Sequence, residues 1–151
     1  MEFETYMRRA LDLAREAAAA GEVPVGCVIA DAEGKIIGEG RNRREATRLV
    51  RSHAEMDAID MACAARGDWR LDDCTLFITL EPCPMCAGAM INARLGRLVY
   101  AARDSVYGSC AGVLNLFAEN YPAHTAIYAG IMAAESESLL KEFFGNLRQE
   151  Q

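Results

Sequence analysis

A chain of 151 residues has the length of one domain, which can bury about 70% of the surface its unfolded form would expose, and we read residues 1–151 as a single domain. An apolar fraction of 52% and a charged fraction of 25% exclude a disordered or fibrous protein. A net charge of −6 argues against generic nucleic-acid binding, which depends on Lys and Arg neutralising phosphates, and no stretch approaches the roughly 20 unbroken apolar residues of a membrane helix.

The start, Met1-Glu2-Phe3-Glu4, lacks the basic opening of a signal peptide, so the expected location is cytoplasmic. From Glu4 to Ala20 the residues Met7, Ala10, Leu11, Ala14, Ala17 and Ala18 recur at i, i+3, i+4 spacing, which predicts an amphipathic helix stopped by Gly21. Val23 to Ala30 and Lys35 to Gly38 are apolar β-type runs. Asp31-Ala32-Glu33-Gly34 between them has turn chemistry, so the two strands should pair antiparallel.

A run rich in arginine follows, with Arg41, Arg43, Arg44, Arg48 and Arg51 directly before His53. Such runs are usually solvated loops, and this one is also a candidate basic rim beside a site. His53 to Ala65 then carries Met56, Ile59, Met61, Ala62 and Cys63 at helical spacing, placing His53 and Glu55 near a helix start. Cys74 to Leu80 is β-branched and aromatic, as a strand buried on both faces would be, and it leads into Glu81-Pro82-Cys83.

Pro84 suits the first turn of the next helix, through Asn92, and puts Cys83 and Cys86 at its N-terminus. Leu98 to Ala102 predicts a strand, Thr125 to Ala129 another, and Ile131 to Leu147 a closing helix. Residues 103–122 read as a loop with a short helical piece near Val113 to Phe117. Five strands alternating with helices predict a three-layer α/β/α sandwich around a mixed five-stranded sheet.

Of the six cysteines only Cys83 and Cys86 have ligand spacing; Cys27, Cys63, Cys74 and Cys110 lie scattered in apolar surroundings, as small hydrophobes do. Cys-x-x-Cys alone also serves redox dithiols and zinc knuckles. A redox pair needs no His-x-Glu partner, and a closed structural zinc site needs a fourth ligand that the chain does not offer at sensible spacing. The order H-x-E followed by P-C-x-x-C matches the signature of zinc nucleobase deaminases. There His53, Cys83 and Cys86 are the metal ligands, one zinc ion is bound per subunit, and Glu55 is the catalytic acid and base.

At these motifs the chain resembles the cytidine-deaminase-like superfamily, and within it the bacterial tRNA adenosine deaminases, which convert adenosine to inosine at the anticodon wobble position. The resemblance extends through Gly21-Glu22-Val23-Pro24-Val25-Gly26, Asn42, His53-Ala54-Glu55, Trp69-Arg70-Leu71, Thr79-Leu80-Glu81-Pro82-Cys83, Met85-Cys86-Ala87-Gly88-Ala89, Ala102-Arg103-Asp104 and Phe143-Phe144. It implies that Asn42 hydrogen-bonds the target nucleoside, that the Ala54 backbone contacts the base, and that Asp104 lies near the ribose. It also implies a homodimer acting on a tRNA anticodon stem-loop.

Asn42 could instead cap a turn, and Asp104 could pair with a neighbour. The run Ser105 to Gly112 departs from the family pattern because it carries no basic residue. Tyr107 within it could stack on an RNA base or close a pocket over a small one. The alternatives that stand beside tRNA editing are deamination of a free nucleobase or nucleoside such as guanine or cytosine, and a structural zinc module.

Overall fold

In the computed structural model, which describes residues 1–150, helix α1 (Phe3–Ala19) ends where Gly21 takes a left-handed backbone, with φ of 81°. The hairpin of β1 (Gly26–Ala30) and β2 (Ile36–Arg41) turns through Asp31, whose Oδ1 accepts the amides of Glu33 and Lys35. One four-residue helix in the arginine run, α2 (Arg44–Thr47), precedes α3 (Ala54–Arg66). Then come β3 (Thr75–Leu80), α4 (Pro84–Asn92), β4 (Arg97–Ala102), a 3-10 turn at Leu116–Ala118, β5 (Ala126–Tyr128) and α5 (Ala133–Gln149).

The sheet order is β2-β1-β3-β4-β5. Strand β1 pairs antiparallel with both β2 and β3, whereas β4 pairs parallel with β3 and β5, so the sheet is mixed, as expected. Parallel strands need a crossover connection: α4 links β3 to β4, whereas only the 3-10 turn lies between β4 and β5, and β3 is buried along nearly its whole length. Met7, Leu11, Val28, Phe77 and Val99 form the core under α1 and α5. Ala54, Ala58, Ile78, Cys86 and Leu98 belong to the larger core on the other face, under α3 and α4. No helix among the described residues is long and apolar enough to cross a membrane.

Three local differences from the sequence reading have physical causes. Strand β2 runs on to Arg41 because Gly26 to Ile29 supply it with partners past Gly38. Helix α2 forms in the arginine run because the buried Glu22 carboxylate accepts the amides of Glu45 and Ala46 at 2.9 and 2.8 Å, satisfying donors at the helix start. Cys74 is not in purely apolar surroundings: its sulfur lies 2.9 Å from Arg66 Nη1, which also pairs with Asp73.

Helix α3 rests directly on β2. A Cβ on Gly38 or Gly40 would fall inside contact distance of the Ala58 or Ala54 carbonyl oxygen, so only glycine lets the helix lie this close. Glycine inside a strand normally weakens it, and an alanine there would ordinarily help. Here Gly40→Ala should instead destabilise by about 1–3 kcal/mol through overpacking. Urea unfolding checks this, and an unchanged midpoint would mean that α3 can step away without cost.

Candidate metal and catalytic site

His53 and Cys83 occupy equivalent places at two helix starts. Each is the extended residue just before its helix, with ψ of 151° before α3 and 171° before α4. Pro84 supplies the fixed φ and missing amide that suit the first helical position, and Cys86 follows in the first turn. The two N-termini converge on one point, and their dipoles favour negative charge there.

Ligand atoms of His53, Cys83 and Cys86 all lie within 4.8 Å of one another. His53 Nδ1 is 3.7 Å from the Cys83 sulfur and 3.5 Å from that of Cys86. Bonds of about 2.0–2.1 Å to nitrogen and 2.3 Å to sulfur at tetrahedral angles place N and S roughly 3.6 Å apart, so this donor set fits zinc. Nδ1 is the histidine atom turned toward the thiols. The Cys83 thiol is pulled down to about 4 by the hydrogen bond from Cys86, with help from His53. Cys86 is pushed up by donating to Cys83 and by burial.

Glu55, in the first turn of α3, is 4% exposed, and burial pushes its carboxyl up to about 7. A cation held by the neighbouring ligands would draw that value back down and favour the carboxylate form. Ala54 opens α3, where the first amides have no intrahelical acceptor and can face a ligand. All four residues of the H-x-E and C-x-x-C patterns therefore meet in one place.

The outlying candidates lie on two loops. Asn42 does hold a turn: its Nδ2 donates to the Val23 carbonyl and its Oδ1 accepts the Arg44 amide, both at 3.2 Å. Each end of that amide retains one further hydrogen-bonding position. Asp104 Oδ1 accepts the amides of Val106 and Tyr107 at 2.9 and 3.1 Å rather than pairing with Arg103. Tyr107 at the tip is exposed. Arg43, Arg44, Arg48 and Arg51 are exposed as well, with Arg43 paired to Asp57 at 2.9 Å.

Two buried glutamates, Glu22 and Glu81, anchor these loops, and the sequence reading gave them no role. Their only signal was a carboxylate at the edge of an apolar run. A groove of about 360 Å³ lies elsewhere, lined by Trp69, Ile91, Asn92, Arg94, Leu116 and Tyr121 among others, and none of the three metal-ligand candidates borders it.

The MafB19-like deaminase family model matches residues 1–148. The tRNA-specific adenosine deaminase of Bacillus subtilis is 43% identical over 148 residues, covering 97% of this chain and 91% of that protein. A solved structure from a study of A-to-I editing by tRNA:A34 deaminases at the wobble position superposes with a TM-score of 0.86. It is 37% identical, over 90% of this chain and 99% of its own. A guanine deaminase from Nitrosomonas europaea superposes with a TM-score of 0.82 at 26% identity, over 94% of this chain and 84% of its own. The chain spans about a quarter of the length of two further relatives, the tRNA(Ile)-lysidine synthases of Deinococcus radiodurans and Deinococcus deserti, at 25% and 27% of each. Family match, fold and near full-length identity agree, and the chain belongs to the MafB19-like deaminases, in the family of the bacterial tRNA-specific adenosine deaminases.

Proposed function

We propose that residues 1–151 form a single zinc-dependent hydrolytic deaminase domain that converts adenosine to inosine at the tRNA anticodon wobble position and releases ammonia. The observation that carries this reading is the buried Glu55 beside a three-donor His53, Cys83 and Cys86 set, in a chain 43% identical to a tRNA-specific adenosine deaminase. Three protein donors suit a catalytic rather than a closed structural zinc site. One zinc ion per subunit, held by these residues, supplies water activated for attack at neutral pH.

Glu55 does the proton work. Its carboxylate takes the proton of the attacking water and delivers it to a ring nitrogen of the adenine; it then takes the proton of the hydroxyl now bonded to the ring carbon and passes it to the departing amine, which leaves as ammonia while that carbon becomes a carbonyl. Asn42 retains hydrogen-bonding positions for the nucleoside, the Ala54 amide faces the base, and Asp104 stands near the ribose. Arg44, Arg48 and Arg51 provide the basic rim for the anticodon stem-loop. The reading includes a homodimer and a cytoplasmic location.

Glu55→Ala should keep fold and metal but lower turnover by at least about 10³-fold, given what general acid–base groups contribute. Inosine formation in an arginine tRNA anticodon stem-loop, with zinc quantified alongside, checks this; retained turnover sinks the assignment of Glu55. Cys86→Ala should instead release the metal.

With metal stripped, alkylation at pH 6 should go to Cys83, because pH 6 lies above its value of about 4 and leaves it a thiolate, while the partly exposed Cys63, raised by burial, stays protonated. Mass spectrometry locates the label, and equal labelling of both would contradict the charge assignment.

Free guanine, cytosine and adenosine serve as competing substrates, with ammonia release as the readout. Affinity for the stem-loop should fall between low and physiological salt as the few arginine–phosphate contacts are screened, whereas turnover of a free base should barely respond. Deamination of the free base alone would replace tRNA editing with the metabolic reading.

A further inference from the structure

The Glu81 carboxylate is 2% exposed and lies two residues before the ligand candidate Cys83. None of the ion pairs among the described residues includes it. Its partners are backbone amides instead. Oε1 accepts Asp104 N at 3.0 Å, and Oε2 accepts Cys110 N at 2.8 Å and Gly112 N at 2.9 Å. One side chain thus holds both ends of the 104–112 loop, and Ser109 N closes the middle onto the Pro82 carbonyl at 2.9 Å.

The loop is packed onto this carboxylate without slack. A Cβ at Gly112 would overlap the Asp104 carbonyl oxygen and come within 2.8 and 2.9 Å of the two Glu81 oxygens, and one at Gly108 would overlap both the Asp104 carbonyl oxygen and Glu81 Oε2. Asp104, gripped through its amide, in turn fixes the amides of Val106 and Tyr107 with its own side chain. A continuous set of hydrogen bonds therefore runs from the residue beside the Pro82-Cys83 turn to the exposed tip at Tyr107. A buried polar group left unpaired is costly, and the two oxygens of this carboxyl group have lone pairs enough to accept three separate amides.

We propose that Glu81 is a positioning residue for the reaction: its buried carboxylate fixes the 104–112 loop against the metal-ligating turn and so sets Asp104 and Tyr107 before substrate arrives. This rests on the proposed function in taking that loop as substrate-facing. A pre-ordered loop contributes to binding by having less freedom left to lose.

Glu81→Gln removes one acceptor oxygen and turns an N–H toward backbone amides. Zinc content and far-UV circular dichroism should stay as in the wild type. Peptides covering 104–112 should exchange amide hydrogens at least about tenfold faster, with α3 and α4 unchanged. KM for the stem-loop should rise about tenfold or more while kcat stays within about threefold, the pattern of lost binding rather than lost chemistry.

Where Glu81→Gln fails to fold, Gly112→Ala, which keeps the carboxylate but displaces the loop, supplies the same measurements. Unchanged exchange overturns the proposal, and so does a fall in kcat with loss of zinc and an unchanged KM, which would confine Glu81 to supporting the metal turn. A wild type that deaminates only a free base refutes the tRNA reading separately. The same exchange data and the same KM-against-kcat split, measured on that base, then judge Glu81.

Discussion

Everything at this site depends on bringing the N-termini of α3 and α4 to one point on the same face of the sheet. A residue just before a helix has extended backbone, and its side chain reaches past the helix end. Two such residues, His53 and Cys83, therefore face each other once the helix starts converge, and Cys86 joins from the first turn of α4. The convergence is set by packing remote from the ligands. Helix α4 is delivered by the last residues of β3, while α3 is pulled onto β2 through Gly38 and Gly40, where no side chain separates helix from strand. The helix dipoles then lower the cost of gathering thiolates there.

Three glutamates are buried around this centre, and their surroundings divide them into two kinds. Glu22 accepts two backbone amides and Glu81 accepts three, so each is tied by fixed N–H donors to a segment distant along the chain. Glu55 has no comparable set of amides from another segment, and burial raises its carboxyl to about 7. The same side chain is a fixed anchor where backbone N–H groups surround it, and it keeps a raised pKa where they do not, which suits the proton-carrying role proposed for Glu55. Glu22 holds the arginine segment through α2, and Glu81 holds the 104–112 loop.

The sequence made the sheet legible because β-branched runs such as Thr75 to Leu80 are long enough and apolar enough to admit one reading, and helix starts were marked by Pro84 and by the spacing after His53. That His53, Cys83 and Cys86 belong together was equally legible, since H-x-E and P-C-x-x-C are local patterns. What could not be read were contacts between distant segments. Glu81 meets amides 23 to 31 positions along the chain, and Glu22 reaches 23 and 24 positions to Glu45 and Ala46. Nothing local distinguishes such a glutamate from a solvated one. Helix α2 was missed for the same reason, because its four residues are stabilised by a side chain from another segment rather than by their own pattern.

The negative net charge and the arginine segment are reconciled by distance. At physiological ionic strength exposed charges more than about 8 Å apart are largely screened, so an approaching phosphate responds to the charges of one face and not to the sum of −6. On the face holding α2, Arg43 is neutralised by Asp57, and Asp60 borders the same cleft as Arg51. The basic rim is thus narrower than five arginines suggest. A narrow rim has a physical consequence for selectivity. On the proposed reading of a tRNA substrate, it leaves few phosphate contacts to grip nucleic acid without regard to shape, so discrimination would fall to the ordered loops that Glu22 and Glu81 hold, where the position of a polar atom counts for more than the number of charges.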